Sequence, residues 1–78
     1  MANLDIYNAS FTDSFSVDLV ELPALEYQSV NAWDSVGHMG LMAHLEETFG
    51  IMFDMDDILD FSSYEKGKEI LQKYSIQL

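Results

Sequence analysis

The sequence predicts an all-α protein, a small four-helix bundle of three longer helices and a short third one, with a long loop between helices one and two. Three observations lead there. Apolar residues recur at spacings of three and four in single stripes. No stretch alternates as a strand would, and residues suited to capping helices stand where the stripes begin. With 78 residues the chain has room for one domain, residues 1–78, which buries only about 60% of the surface its unfolded form exposes. Cysteine is absent, so side-chain packing alone must hold the fold.

Helix one is expected from about Leu4 to Ser14, because Leu4, Tyr7, Phe11 and Phe15 form one stripe. The periodicity then fails from Ser16 to Asp34, with Pro23 in the middle. Val17, Leu22, Leu25 and Tyr27 read there as anchors of an ordered loop that has room for a brief helical turn. Asp34 and Ser35 are both candidate N-caps for helix two. Its core stripe is Leu41, Met42, Leu45 and Phe49, within an arc of ~100°, and Gly50 is its stop. A short acidic helix over Asp54 to Asp60 should turn Ile58 and Leu59 inward. Ser62 and Glu65 have capping-box spacing and open helix four. That helix faces Ile70, Leu71 and Tyr74 inward and the pairs Glu65/Lys68 and Glu69/Lys73 outward.

Fourteen acidic residues against three lysines, with no arginine, give a formal charge of −11. Such a surface repels nucleic-acid phosphates and anionic membranes and steers association toward basic partners, though excess acid also serves solubility alone. No apolar run approaches the ~18 residues of a membrane span. Met1 to Ser10 has no basic region followed by an apolar run, so a cytoplasmic protein is the expectation; the chain is also expected to be a monomer.

The chemistry concentrates at Trp33-Asp34-Ser35-Val36, where the long loop meets helix two. A serine at a helix N-terminus sits among free amides at the positive end of the dipole, which accommodates a phosphodiester. The Asp-Ser dipeptide by itself is equally an ordinary cap. On the helical wheel Val36, Met39, Ala43, Glu46 and Glu47 lie opposite the core stripe. This mixture of small apolar and acidic residues suits a docking surface or an ordinary solvated face.

Asp34-Ser35-Val36, followed by Leu41, Leu45-Glu46-Glu47, Phe49-Gly50-Ile51, Asp56-Asp57-Ile58 and a closing helix, resembles the acyl carrier protein family from about Trp33 to the C-terminus. The resemblance implies a binding module rather than an enzyme. It implies that Ser35 accepts 4'-phosphopantetheine from coenzyme A through a phosphopantetheinyl transferase, making the chain a phosphoprotein, with Asp34 assisting recognition or magnesium placement. It further implies that the arm carries acyl or aminoacyl thioesters between loading and transferring enzymes with basic docking patches, in fatty-acid, polyketide, polysaccharide or amino-acyl pathways. Val36, Met39, Ala43, Glu46, Glu47 and Asp56 would face those partners. The chain departs from housekeeping fatty-acid carriers at Gly37 and Gly40, where they usually carry acids. Trp33 and Gly37-His38-Met39 look more like specialised discrete carriers.

Two readings from other classes remain. Asp54, Asp56 and Glu65 have the first, third and twelfth positions of a calcium-binding loop, but Ile58 and Leu59 stand where an oxygen ligand and the glycine turn belong. An acidic helical adaptor that binds partners without modification would look much the same. His38 and His44, about 240° apart on the helix, cannot converge on one ligand, and His38 reads as a residue at the rim of the bundle. Five methionines and five phenylalanines read as core, with an acyl chain between the helices as the alternative.

Overall fold

The computed structural model describes residues 2–78. Among them it contains four α-helices, one 3₁₀ helix and, in place of strands, a single isolated bridge. The helices are α1 (Asn3–Phe15), the 3₁₀ helix (Leu19–Ala24), α2 (Ser35–Phe49), α3 (Met55–Asp60) and α4 (Tyr64–Lys73). The all-α expectation therefore holds, and α1 runs one residue further at each end than the expected Leu4 to Ser14.

α1 buries Tyr7, Phe11 and Phe15, whereas Leu4 only leans on the core from its edge. It stops where Ser16 takes a left-handed conformation and returns its amide to the Thr12 carbonyl at 2.9 Å. The following segment is ordered by the anchors it carries: Val17, Leu22 and Leu25 are buried. The 3₁₀ helix, with Pro23 inside it, occupies the middle. Tyr27 is a correction, since it stays 37% exposed. Backbone bonds from Tyr27 N to Ser62 O (2.8 Å) and from Tyr64 N to Leu25 O (3.0 Å) fasten this loop to the start of α4. They form the isolated Glu26–Ser63 bridge.

The core is aromatic at its centre. Phe11 makes edge contacts with Tyr7 (4.9 Å between centroids), Tyr64 (5.4 Å) and Trp33 (5.6 Å), and Trp33 also stacks on Phe15 at 5.2 Å. Such pairs stabilise beyond the area they bury. Leu41, Met42 and Leu45 of α2 and Ile70 and Leu71 of α4 close over this cluster. Tyr7 donates its hydroxyl to the Tyr64 carbonyl at 2.7 Å, and burial pushes its ionisation far above the ordinary tyrosine range, so it remains a donor. At Gly67 the helix backbone lies against the Tyr7 hydroxyl and the Phe61 ring, leaving no room for a Cβ.

Helices three and four depart from the sequence reading in three places. Leu59 is 73% exposed rather than inward, and Asp57 takes the buried position in α3. Six residues make fewer than two turns, so Asp57 and Leu59, two apart, face opposite sides, and the pairing available to Asp57 decides which side turns in. Lys73 donates to Asp57 Oδ1 at 2.5 Å and Tyr74 to Oδ2 at 2.6 Å. Lys73 is therefore engaged across the helix pair rather than with Glu69, while the Glu65–Lys68 ion pair forms at 3.2 Å. Finally, the cap of α4 is Ser63, whose Oγ accepts from Lys66 N at 2.9 Å. Ser62 is instead held one residue earlier by the bridge to Tyr27, which displaces the Ser62–Glu65 capping box.

Candidate functional site at the start of helix α2

Asp34, in extended conformation, is the N-cap of α2: its Oδ1 accepts from Gly37 N at 2.8 Å and its carbonyl from His38 N at 2.7 Å. Ser35 is thereby the first helical residue, exposed to solvent. By helix geometry the amides of Ser35 and Val36 have no intrahelical acceptor, an environment that favours negative charge. Two further contacts fix the turn. Trp33 is fully buried, and its indole N–H donates to His38 Nδ1 at 2.9 Å. Gly37 packs so closely on the Ala32 carbonyl that a Cβ would overlap it. The glycine thus serves close approach of the chain to itself, whereas Gly40 has open space around it.

His38 joins two helices. An indole nitrogen only donates and a carbonyl only accepts, so Nδ1 must be the acceptor from Trp33, and Nε2 must donate to the Ile58 carbonyl, 2.8 Å away. That carbonyl belongs to the last turn of α3, where backbone acceptors have no helical partner. His38 is half-buried, as a residue at the rim, and it is also the tie between α2 and α3.

Between these helices runs an apolar groove of about 310 Å³ with Ser35 in its lining. One wall carries Ser35, His38 and Met39 from one face of α2, and the other carries Met55, Ile58 and Leu59 from the matching face of α3. Tyr27, Phe61 and Ser62 complete it. Met39, Met55 and Leu59 are 54%, 68% and 73% exposed, an apolar lip beside the serine in an otherwise acidic chain. A larger hollow of about 470 Å³ lies along α4 among Asp57, Asp60, Lys66, Glu69 and Lys73 and has charges of both signs.

The expected docking residues divide. Val36, at 80% exposure, and Ala43 and Glu47 are exposed along α2, and Asp56 is exposed on α3. Glu46 is not free, because its Oε2 accepts from Phe53 N at 2.8 Å and closes the α2–α3 turn after Gly50. Asp54, Asp56 and Glu65 do not converge as a calcium loop requires; among the described residues no group of three His, Asp or Glu side chains could hold a metal ion. The α3 wall and Tyr27 were missed by reading the sequence. The signal available for it was Met55 and Leu59 at the i, i+4 spacing of one helix face.

Electrostatics near α3 centre on Asp57. Hydrogen bonds from Lys73 and then Tyr74 hold its carboxyl below the usual carboxylate range, and the same carboxylate raises Lys73 and Tyr74. Tyr74 in turn accepts from Asp54 N at 2.8 Å, so α3 is fastened to the end of α4 at its start and its middle. No helix among the described residues is long and apolar enough to cross a membrane. Comparison with known protein families, curated proteins and solved structures returns no match.

Proposed function

We propose that this protein is a carrier of the acyl or peptidyl carrier type, a four-helix bundle that presents 4'-phosphopantetheine on Ser35 and is not itself an enzyme. The observation that carries the reading is the pairing of an exposed serine at the first position of a fifteen-residue helix with an apolar groove that the serine helps to line. An ordinary helix cap needs no such groove, and here the capping is done by Asp34.

The residues fit the group. Ser35 offers an accessible hydroxyl, and the α2 amides beside it favour the phosphodiester. In the transfer, which the partner transferase catalyses with magnesium, Ser35 Oγ attacks the pantetheine-side phosphorus of the coenzyme A pyrophosphate. The new P–O bond forms as the bond to the nucleotide phosphate breaks, adenosine 3',5'-bisphosphate leaves, and the serine proton passes to a base of the transferase. Asp34 holds the first turn in place through Gly37 and contributes negative charge beside the reacting oxygen. When bound, the arm supplies a thiol that carries cargo as a thioester, and tethering raises the cargo's effective concentration at each docked enzyme.

Val36, Met39, Ala43, Glu47 and Asp56 form the surface offered to partners. The net charge of −11 favours partners with basic patches and disfavours nucleic acid and anionic membranes. A monomer acting in the cytoplasm accords with this reading. The test is the intact mass after incubation with coenzyme A, magnesium and a broad-specificity phosphopantetheinyl transferase. One phosphopantetheine is expected on the parent chain and none on Ser35→Ala. A folded parent that gains nothing beside an active control carrier overturns the proposal and leaves the unmodified acidic adaptor.

A further inference from the structure

The chain has no cysteine, so the thioethers of methionine are the only sulfur its own side chains offer to an oxidant. Four of the five methionines lie among the described residues, and burial divides them. Met42 belongs to the core at 1% exposure, whereas Met39, Met52 and Met55 are each more than half exposed. A dissolved oxidant attacks what solvent reaches, and a side chain held in the core reacts only when the structure opens. The surface methionines can therefore be oxidised in the folded protein while Met42 is spared.

Placement distinguishes two of these three. Met39 stands one helical turn after Ser35 on the same face of α2, and Met55 is on the α3 wall; both line the groove that Ser35 lines. Met52 is in the turn between the two helices and is not part of that lining. The surroundings are acidic, with Asp54, Asp56 and Asp60 exposed on and beside α3 and Glu47 exposed on α2, in a chain of net charge −11. Such a field repels anionic oxidants and leaves a neutral peroxide unhindered. Oxidation turns a flexible apolar side chain into a polar one. At exposed positions it removes no core packing, but it makes the apolar lip beside Ser35 polar.

We infer that Met39 and Met55 form an oxidation site for neutral peroxides, and that their conversion to sulfoxides slows the access of partner enzymes to Ser35 while the fold stays intact. The effect at Ser35 rests on the carrier reading. With hydrogen peroxide, the sulfur lone pair attacks one peroxide oxygen and the O–O bond breaks. That oxygen stays on sulfur, and the other leaves with both protons as water. Sulfur is oxidised by two electrons and the peroxide is reduced by two. A partner that lays apolar surface against the lip must then bury sulfoxide oxygens, and burial of a polar group without a partner is unfavourable. Methionine sulfoxide reductases return the thioether, with a dithiol as reductant that leaves as disulfide and water, so the change is reversible.

The test treats the full chain with hydrogen peroxide, removes the peroxide with catalase, and reads each methionine by peptide mass. The same samples are followed by thermal unfolding and by the rate at which a phosphopantetheinyl transferase loads Ser35 from coenzyme A with magnesium. Met39, Met52 and Met55 should gain oxygen at least about tenfold faster than Met42, with Tm within about 2 °C of the untreated chain. Loading should slow by about tenfold and recover after treatment with both stereochemical classes of methionine sulfoxide reductase. The double variant Met39→Leu, Met55→Leu should keep its own untreated rate after peroxide, whereas Met52→Leu should slow as the parent does. Oxidation of Met42 in step with the others, or a collapse of Tm, would mean damage to the core and overturns the inference. So does an unchanged loading rate in a parent oxidised at both Met39 and Met55, or a double variant that peroxide still slows. A parent that does not load before any peroxide is added overturns the carrier reading itself, and the inference with it.

Discussion

The same substitution, glycine to alanine within a helix, should change stability in opposite directions at two positions of this chain. At an ordinary interior helical position the change is favourable by about 1 kcal/mol, because alanine loses less backbone entropy. Gly40 on the exposed side of α2 meets nothing within 4 Å of a built Cβ, so Gly40→Ala should recover much of that figure and raise Tm by roughly 4–8 °C. At Gly67 the added methyl group would overlap the Tyr7 hydroxyl and the Phe61 ring, whose Cε1 is 2.7 Å away. Overpacking of this kind costs about 1–3 kcal/mol. Displacing Tyr7 also weakens its buried bond to the Tyr64 carbonyl, a further loss of about 1 kcal/mol. After subtracting the propensity gain, Gly67→Ala is left about 1–3 kcal/mol less stable, a fall in Tm of roughly 5–20 °C. Urea unfolding followed by the fluorescence of Trp33, the sole tryptophan, gives both values with a common slope. A Gly67→Ala protein as stable as the parent would mean that α4 does not pack on α1 through Tyr7 as described.

Asp57 predicts an acid limb. Its folded pKa lies below its unfolded value, so its contribution is complete above the ordinary carboxylate value of ~3.9 and disappears as pH falls through the lower folded value. Urea midpoints measured from pH 6 to pH 2.5 should therefore drop more steeply for the parent than for Asp57→Asn. Glu46→Gln retains an oxygen for the Phe53 amide and should unfold within about 0.5 kcal/mol of the parent, while Glu46→Ala should lose about 1 kcal/mol; equal losses in denaturant titration would remove the assigned role of that bond. Trp33→Phe leaves His38 Nδ1 without its donor and creates a cavity beside Phe15, so a loss of about 2–4 kcal/mol is expected by calorimetry.

The parts of the fold that were legible in the sequence are those in which one residue type has one good use. Phe11, Phe15, Leu41 and Leu45 repeat at helical spacing and have nowhere to go but inward. Gly50 ends α2 in a left-handed conformation with φ 65°. Pro23 breaks periodicity and tolerates the short 3₁₀ turn. The misread positions are those where two residues competed for one role. Ser62 and Ser63 both precede α4, and the bridge that engages Ser62 O with Tyr27 N gives the cap to Ser63. Asp57 and Leu59 compete for the inner side of a helix too short for periodicity to decide. The carboxylate wins because two donors from the end of α4 reach it, a contact between residues sixteen and seventeen positions apart that no local pattern encodes. Within the candidate site, Ser35 and its cap are local and readable. The groove depends on where α3 lies, and that is set by Lys73, Tyr74 and His38.

This division places the candidate attachment residue on the well-anchored part of the molecule and the groove's second wall on the least self-sufficient part. Ser35 sits between the fully buried Trp33 and a helix of fifteen residues, so the position of its hydroxyl is set by the core. α3 has six residues, far below the ~12–15 at which an isolated helix becomes marginally stable. Two of its apolar side chains, Met55 and Leu59, are left mostly in solvent. What holds it are discrete polar ties: Asp57 to Lys73 and Tyr74, Asp54 N to Tyr74, and the Ile58 carbonyl to His38. Polar ties can be exchanged individually, and segments with few buried apolar contacts are those that open below the global unfolding free energy. α3 is thus the segment expected to open first, although Phe61 directly after it belongs to the aromatic core. Amide exchange should accordingly be faster across Met55–Asp60 than across Leu41–Phe49, and Tyr74→Phe, which removes two of the ties, should speed the former while leaving the latter unchanged. Equal protection of both segments would show that α3 opens only with the whole molecule.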